Sequence, residues 1–228
     1  MKWCDISTYE ESKQMRKMKR NLENIKRRAL PAALIFVLAA YLLTGCIQSF
    51  DAEAYVKSCL DALYMGDYEE YADQVGISVE EARSDIEGQL DDSLESAFVG
   101  DTVTSDDDKQ AYKDVVVEIY KLAKYEVVGS EEKDGDYVVT VSVQPSNVFE
   151  DLDEGFTAMI TEAVADGDFD ESQTIAYLNQ YLEQRKAENE YGEAEEIQVN
   201  VTGDENNVYT IPEEDLTNIE GALFPGAV

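Results

Sequence analysis

The sequence DGDYVVTVSV at residues 134–143 decides the fold. Residue types alternate there with a period of two, which is typical of a β-strand with one buried face. A second run of strand-forming residues, 125–129, precedes it across the polar segment 130–136. The two runs therefore predict an antiparallel β-hairpin. The inward face of its second strand would carry Tyr137, Val139, Val141 and Val143.

A second hairpin is predicted nearer the C-terminus, where residues 196–202 and 208–211 flank the polar segment 203–207. Elsewhere apolar residues recur every three or four positions, which indicates amphipathic helices. Ser78 with Glu81 forms a capping box at the start of one of them. The predicted helices cover residues 51–65, 67–75, 78 to Gly100, 105–123, 152–165 and 172–190, with a short helix after Pro212.

The order of these elements is helices, hairpin, helices, hairpin, helix. We therefore predict an α+β fold in which helices pack on a four-stranded antiparallel sheet made of two hairpins, all in a single domain. A cystatin-like or NTF2-like sheet is a weaker analogy, because those folds do not usually place so many helices before the first strand.

The charge of the chain excludes several classes of function. Its 228 residues hold 18 Lys and Arg against 50 Asp and Glu, with no His, for a net charge of −32. Nucleic-acid binding needs a basic surface, and residues beyond the first 28 offer none, so we expect no nucleic-acid partner. Without His, catalytic Ser-His-Asp triads and His-ligated metal sites are excluded. The apolar fraction of 44% indicates a folded protein rather than a disordered acidic tail.

The N-terminal region has the pattern of a secretory signal peptide. Residues 15–28 carry seven basic side chains and one acid, and the apolar residues 29–44 follow directly. This apolar segment is shorter than the roughly 20 residues that a membrane-spanning helix needs. The 14 residues before Met15 are unusual for a signal peptide, so Met1, Met15 and Met18 all remain candidate start sites.

The apolar segment ends in Leu43-Thr44-Gly45-Cys46, which resembles the lipobox of bacterial lipoproteins. The resemblance implies that Cys46 receives a diacylglycerol and that a signal peptidase recognises Leu43, Thr44 and Gly45 and cuts before the cysteine. The chain would then divide into a lipoprotein signal peptide (1–45), a short tether (46–50) and an acidic α+β domain (51–228). The alternative is an uncleaved membrane anchor with a chance cysteine.

Cleavage before Cys46 would leave 9 basic and 46 acidic side chains, a net charge of −37 on 183 residues. Cys59 would be the remaining free thiol, and its place in a helical apolar pattern predicts that it is buried. The tether of five residues reaches at most about 17 Å. We expect the domain to stand on the outer face of the cytoplasmic membrane of a Gram-positive cell, anchored by lipid on Cys46.

Several segments of the domain look like a family of uncharacterised lipoproteins from Gram-positive gut bacteria. They are residues 63–71, 76–82, 124–127 and 134–139. The resemblance implies that this chain is a lipoprotein. It assigns no activity and no catalytic residues to the chain, because none is assigned in that family.

A calcium site is the sharpest metal hypothesis, because Asp166, Asp168 and Asp170 alternate as in an EF-hand loop. The loop then departs from that pattern, since Glu171 stands where the EF-hand needs Gly and Tyr177 where it needs the closing Glu. Asp170 is also a natural N-cap for the following helix. We therefore predict no metal site and no cofactor.

Two further hypotheses concern the acids and the tyrosines. Catalysis by paired carboxylates, as in glycoside hydrolysis, does not need His, but no pair of acids stands out in the sequence. Tyrosines form recognition surfaces in many interfaces. Here helical spacing favours core positions for Tyr55, Tyr68, Tyr71, Tyr112 and Tyr120.

We therefore expect a lipid-anchored, extracytoplasmic binding or accessory module of the cell envelope rather than an enzyme. Its partners would be the membrane, through the lipid on Cys46, and an envelope protein or a small ligand. The alternatives are a small envelope hydrolase that uses paired carboxylates and a transporter-associated solute-binding lipoprotein.

Overall fold

The computed structural model describes residues 40–41, 50–96, 98, 104–167, 169–204 and 208–227. Its helices are α1 Ala52–Leu60, α2 Glu69–Val75, α3 Val79–Ser96, α4 Asp106–Tyr120, α5 Leu152–Asp166, α6 Thr174–Ala187 and α7 Glu213–Leu223. Its strands are β1 Ala40–Tyr41, β2 Lys124–Lys133, β3 Asp136–Gln144, β4 Glu195–Gly203 and β5 Val208–Thr210. A π-helical turn, Asp61–Met65, follows α1, and 3₁₀ turns cover Asn147–Phe149 and Glu171–Gln173.

The strands form one antiparallel sheet in the order β1-β5-β4-β3-β2. The two predicted hairpins supply four of these strands, and pairing of β3 with β4 joins the hairpins, with Val139 opposite Val199. The predicted α+β fold with a four-stranded antiparallel sheet is thus confirmed. The two-residue strand β1 extends this sheet beyond β5.

The first hairpin is longer than the sequence indicated, and its predicted seven-residue loop is wrong. Strand β2 continues to Lys133 and β3 begins at Asp136, so the turn contains only Asp134 and Gly135. Both turn residues have positive φ, 56° and 95°, which matches the right-handed twist of the flanking strands. The exposed Glu131 and Glu132 therefore belong to strand β2 and not to a loop.

One face of the sheet is buried and the other faces solvent. Val139, Val141, Val143, Val199 and Val201 are fully buried, whereas their outward neighbours on β4 are exposed. Helix α1 packs against β2 and β3, and α7 packs against β3 and β4. The buried residues form a single apolar cluster between Ala52 and Ala227. This continuous core agrees with the single predicted domain.

Most predicted helix ends are found at the expected caps. The side chains of Asp51, Ser78 and Ser105 accept backbone N–H bonds of 3.0, 3.2 and 3.1 Å at the first turns of α1, α3 and α4. Gly66 and Gly76 end their helices in the left-handed conformation. The last helices differ slightly, because a 3₁₀ turn precedes α6 and Pro212 lies just outside α7. Gly100 lies outside the described residues.

Strand β1 belongs to the predicted signal peptide, whose other residues are not described. A chain cut before Cys46 would therefore keep the four strands of the two hairpins and lose β1. In the part of the chain that the structure describes, no helix is both long and apolar enough to cross a bilayer.

Candidate functional site

A π-helical turn lies at the centre of the candidate site. Helix α1 widens at Asp61–Met65, and the N–H of Gly66 donates to the carbonyl of Asp61, five residues back. Gly66 has φ 69°, a conformation that a residue with a Cβ seldom adopts. Single π turns occur often at functional sites. This one places Tyr64 in the core and leaves Met65 38% exposed.

The larger cleft, about 760 Å³, lies between the π turn and the beginning of β2. The hydroxyl of Tyr125 donates a 2.7 Å hydrogen bond to the carboxylate of Asp61, and Lys57 forms an ion pair with the same carboxylate. Burial raises the pKa of Tyr125, and the bond to Asp61 raises it further. Glu126 lines the same cleft from β2. The cleft therefore contains two carboxylates from separate elements.

Lys124 brings a cation to the edge of the larger cleft. Its ammonium lies 3.5 Å from the ring centroid of Tyr191, within the range of a cation–π interaction. Lys124 forms no ion pair with the residues that the structure describes. A cation without a carboxylate partner is notable in a chain of net charge −32.

The smaller cleft, about 420 Å³, lies on the other side of the π turn, against α3 and α4. Its volume and that of the larger cleft fall in the range of about 300–1,000 Å³ that is usual for small-molecule sites. Aliphatic side chains and three buried tyrosines line it: Leu63, Ile86, Leu90 and Val117, with Tyr64, Tyr68 and Tyr120.

A buried carboxylate lies beneath the smaller cleft. Glu220 of α7 is 5% exposed, and the hydroxyl of Tyr120 donates a 2.9 Å hydrogen bond to it. Burial raises the pKa of Tyr120 and Tyr64, and the charge on Glu220 raises both further. The rings of these two tyrosines meet edge to face at 6.0 Å. Both phenols therefore stay protonated, and the hydroxyl of Tyr120 gives a hydrogen bond to a carboxylate that would be costly to bury alone.

The rim of the smaller cleft carries charges of both signs. The guanidinium of Arg83 lies 5.6 Å from the ring centroid of Tyr68, whose hydroxyl donates to Glu87 at 3.2 Å. Burial and the charge of Glu87 raise the pKa of Tyr68 to about 12. Lys113 joins α4 to α3 through Asp91 and Glu95, at 3.2 and 3.0 Å. A ligand here would meet apolar walls below a mixed-charge rim.

A ring cluster occupies the opposite end of α1. The ring of Phe50 stacks on Tyr209 at 3.8 Å with an interplanar angle of 5°, and lies 5.5 and 5.4 Å from the rings of Tyr55 and Tyr137. The hydroxyl of Tyr55 donates to the carbonyl of Tyr209 at 3.1 Å. Three elements of the fold, α1, β3 and β5, thus meet around Phe50, the last residue of the predicted tether. We call these four rings the Phe50 cluster.

The predicted lipidation residues Leu43, Thr44, Gly45 and Cys46 lie outside the described residues. Cys59 is fully buried as predicted, and burial raises the pKa of its thiol. The core positions predicted for the five tyrosines are confirmed, since each is at most 8% exposed. Sequence periodicity placed these rings in the core, but it missed the carboxylate partners of Tyr68 and Tyr120.

The predicted capping role of Asp170 is confirmed in a 3₁₀ turn rather than directly in α6. Its carboxylate accepts bonds from the N–H and the hydroxyl of Ser172, at 2.9 and 2.8 Å, and these bonds lower its pKa. Asp168, the middle acid of the calcium hypothesis, lies outside the described residues. Within the described ranges, no group of three or more Cys, Asp or Glu side chains is arranged to hold a metal ion.

Comparison with known proteins gives one fold-level likeness. No family model and no curated protein matches the chain. It resembles a crystal structure described as "a putative lipoprotein (ycdA)" from Bacillus subtilis subsp. subtilis str. 168, with a TM-score of 0.49 and 15% sequence identity. The match covers 76% of this chain and 56% of that one, so this chain spans little more than half of its structural neighbour.

Proposed function

We propose that this chain is a lipid-anchored, extracytoplasmic binding or accessory module of the cell envelope, without catalytic activity. Acyl chains on Cys46 hold it on the outer face of the cytoplasmic membrane of a Gram-positive cell. The observation that carries the proposal is the spacing between the lipobox and the fold. Phe50, four residues after Cys46, is already packed against three rings of the domain.

This spacing supports a lipid anchor because cleavage before Cys46 keeps every core residue that the structure describes. Every buried residue of the apolar cluster lies between Ala52 and Ala227. The peptide that would leave contributes only β1 to the described sheet. A folded domain that begins directly after a lipobox is the arrangement expected of a lipoprotein.

The two clefts beside the π turn support a binding role. Both have the volume of a small-molecule site, and they share Met65 as a common wall. Methionine adapts its shape to different contacts, and an exposed methionine is common on binding surfaces. A small ligand or a segment of an envelope protein would bind there.

Metabolic labelling tests the anchor. Cells that express the chain are grown with an alkyne-bearing fatty acid, and the protein is probed for the alkyne. We expect labelling of the unaltered chain and of Cys59→Ser, a matched control at the buried cysteine, but not of Cys46→Ser. Equal labelling of Cys46→Ser, or no labelling of the unaltered chain, would contradict the proposal.

An envelope hydrolase is the second candidate, and one observation favours it. Asp61 and Glu126 both line the larger cleft, and catalysis by two carboxylates needs two such groups in one cleft. Asp61 already accepts bonds from Tyr125 and Lys57, which hold its carboxyl group in one position at the cleft. The test is release of reducing sugar from purified cell-wall glycan. Release that is lost in both Asp61→Asn and Glu126→Gln would favour the hydrolase over the binding module.

A further inference from the structure

The Phe50 cluster and the larger cleft lie at opposite ends of the sheet. Tyr137, which contacts Phe50, is near the beginning of β3, whereas Ser142 and Gln144, which line the larger cleft, are at its end. Tyr137 and Gln144 are seven residues apart, which is about 24 Å in an extended strand.

Helix α1 runs in the same direction as β3. Its N-cap, Asp51, adjoins Phe50, and Asp61 at the other end bonds to Tyr125, the register partner of Val143 at the end of β3. The ten residues from Asp51 to Asp61 span about 15 Å of helix. Helix and strand therefore both lead from the Phe50 cluster to the π turn and its clefts.

The tether is shorter than this separation. Cys46 precedes Phe50 by four residues, which reach at most about 14 Å when fully extended. The ring contacts of Phe50 keep the tether from lengthening, because release of the chain would expose the faces of Phe50 and Tyr209 to water. The end of the domain that carries the Phe50 cluster must then stay close to the lipid.

Charge attraction does not explain the orientation. The hairpin tip beside Tyr137 carries Glu131, Glu132, Asp134 and Asp136 against Lys133 alone. Such a surface repels anionic headgroups over about 8 Å at physiological salt. Packing of Phe50 at the end of the tether is therefore what holds this end near the bilayer.

We propose that the Phe50 cluster is a clamp that suspends the domain by one end, with both π-turn clefts directed away from the bilayer. The clefts then take their ligand from the aqueous space of the cell wall rather than from membrane lipid. This inference rests on the proposed anchoring at Cys46 and specifies on which side the ligand arrives.

The test uses residues 46–228 coupled through the Cys46 thiol to maleimide lipid in phosphatidylglycerol-containing vesicles. This removes any dependence on acylation in the cell. Cys59 is fully buried and should not couple, and mass spectrometry of the coupled protein checks this. An acridone-bearing amino acid replaces exposed Glu132, opposite Tyr137, in one protein and exposed Ala194, on the larger cleft, in another. Spin-labelled headgroups report the distance of each position from the bilayer by fluorescence quenching.

We expect at least about threefold stronger quenching at position 132 than at position 194, because the two ends are about 24 Å apart along β3. Phe50→Ala should bring this ratio close to one. Phe169→Ala removes a ring that contacts Tyr177, far from the tether in sequence, and should leave the ratio unchanged. Circular dichroism of each variant establishes that it is folded.

Equal quenching at the two positions, or stronger quenching at position 194, would contradict the proposal that the Phe50 cluster orients the domain. So would an unchanged ratio in folded Phe50→Ala. None of these outcomes bears on acylation, which the Cys46→Ser labelling experiment decides separately. Conversely, a chain that is not acylated in cells would remove the anchor while leaving the measured packing of Phe50 intact.

Discussion

The two ends of α1 use tyrosine in different ways. At the Phe50 cluster, Phe50 stacks on Tyr209, Tyr137 meets Tyr209 edge to face, and Tyr55 donates to a neutral backbone carbonyl. Around the π turn, the hydroxyls of Tyr68, Tyr120 and Tyr125 each donate to a carboxylate. Hydrogen bonds to charged groups are roughly twice as strong as neutral ones. Tyrosine thus provides apolar packing at one end of α1 and binds carboxylates through its hydroxyl at the other end.

The difference is consistent with separate roles for the two ends. Stacked rings give contact that depends little on pH or salt, which suits a point of attachment. Phenol–carboxylate pairs hold acids in place beside open clefts, which suits a site that presents charge to a ligand.

Alkaline pH should weaken both ends together and produce the largest loss of stability. Burial is the first cause of a raised pKa at Tyr55, Tyr64, Tyr68, Tyr71, Tyr112, Tyr120 and Tyr125. The folded state therefore keeps protons that the unfolded chain releases above pH of about 10. Stability is fully present below that pH and falls above it, by about 1.4 kcal/mol per pH unit for each phenol that the fold keeps protonated.

Urea unfolding followed by circular dichroism between pH 8 and 11 measures this loss. The unfolding midpoint should change little up to pH 9 and then fall steeply. A midpoint at pH 11 equal to that at pH 8 would show that these phenols are not buried as the structure has them.

Phe224→Ala, near the π turn, should lower the free energy of unfolding more than Phe50→Ala does at the other end of α1. Phe224 is fully buried and contacts the rings of Tyr64, Tyr120 and Phe149. Loss of a buried phenylalanine side chain costs about 3–5 kcal/mol. Phe50 is only partly buried, so its loss should cost less. Urea unfolding of the two variants compares them, and an equal or larger cost for Phe50→Ala would reverse the expected order.

Tyr120→Phe and Tyr55→Phe compare the two kinds of tyrosine hydrogen bond directly. Tyr120 donates to the buried carboxylate of Glu220, so its hydroxyl should contribute about 1.5–3 kcal/mol. Tyr55 donates to the neutral carbonyl of Tyr209, so its hydroxyl should contribute only about 0.5–1.5 kcal/mol. The free energies of unfolding at pH 7 give both values. Similar costs for the two variants would refute the distinction between the ends.

Removal of β1 should change the free energy of unfolding least. Two residue pairs join β1 to β5, and each cross-strand pair contributes about 0.2–1 kcal/mol. Chains 38–228 and 46–228 should therefore differ by at most about 2 kcal/mol in urea unfolding. A larger difference would mean that the sheet depends on the segment that signal peptidase is expected to remove.

Local signals predicted much of the fold because helix caps and strand alternation act over a few residues. Ser78 caps a helix where its capping box with Glu81 indicated, and the valines of β3 that were predicted to face inward lie in the core. The two-residue turn at Asp134 and Gly135 was missed, because acidic residues of β2 looked like a loop. Their partners across the hairpin, not their own propensity, make them a strand.

The hydrogen bonds of the candidate site could not be predicted from the sequence, because they join residues that are far apart in the chain. Tyr120 and Glu220 are 100 residues apart, and Asp61 and Tyr125 are 64 residues apart. Among so many acids, no local pattern marks the few that meet a tyrosine hydroxyl. The π turn was hidden as well, since the apolar period of the first predicted helix continues through it to Met65.

The excess of negative charge, the α+β class and the capping box at Ser78 could be predicted from the amino-acid sequence alone, and lipid attachment at Cys46 stays a prediction. These follow from composition and from interactions between near neighbours in the chain. Only the tertiary structure decided that β3 pairs with β4, that Phe50 stacks on Tyr209, and that two clefts flank Asp61–Met65. Such contacts form when distant segments share one core, and their energies depend on burial and geometry that no short stretch of sequence contains.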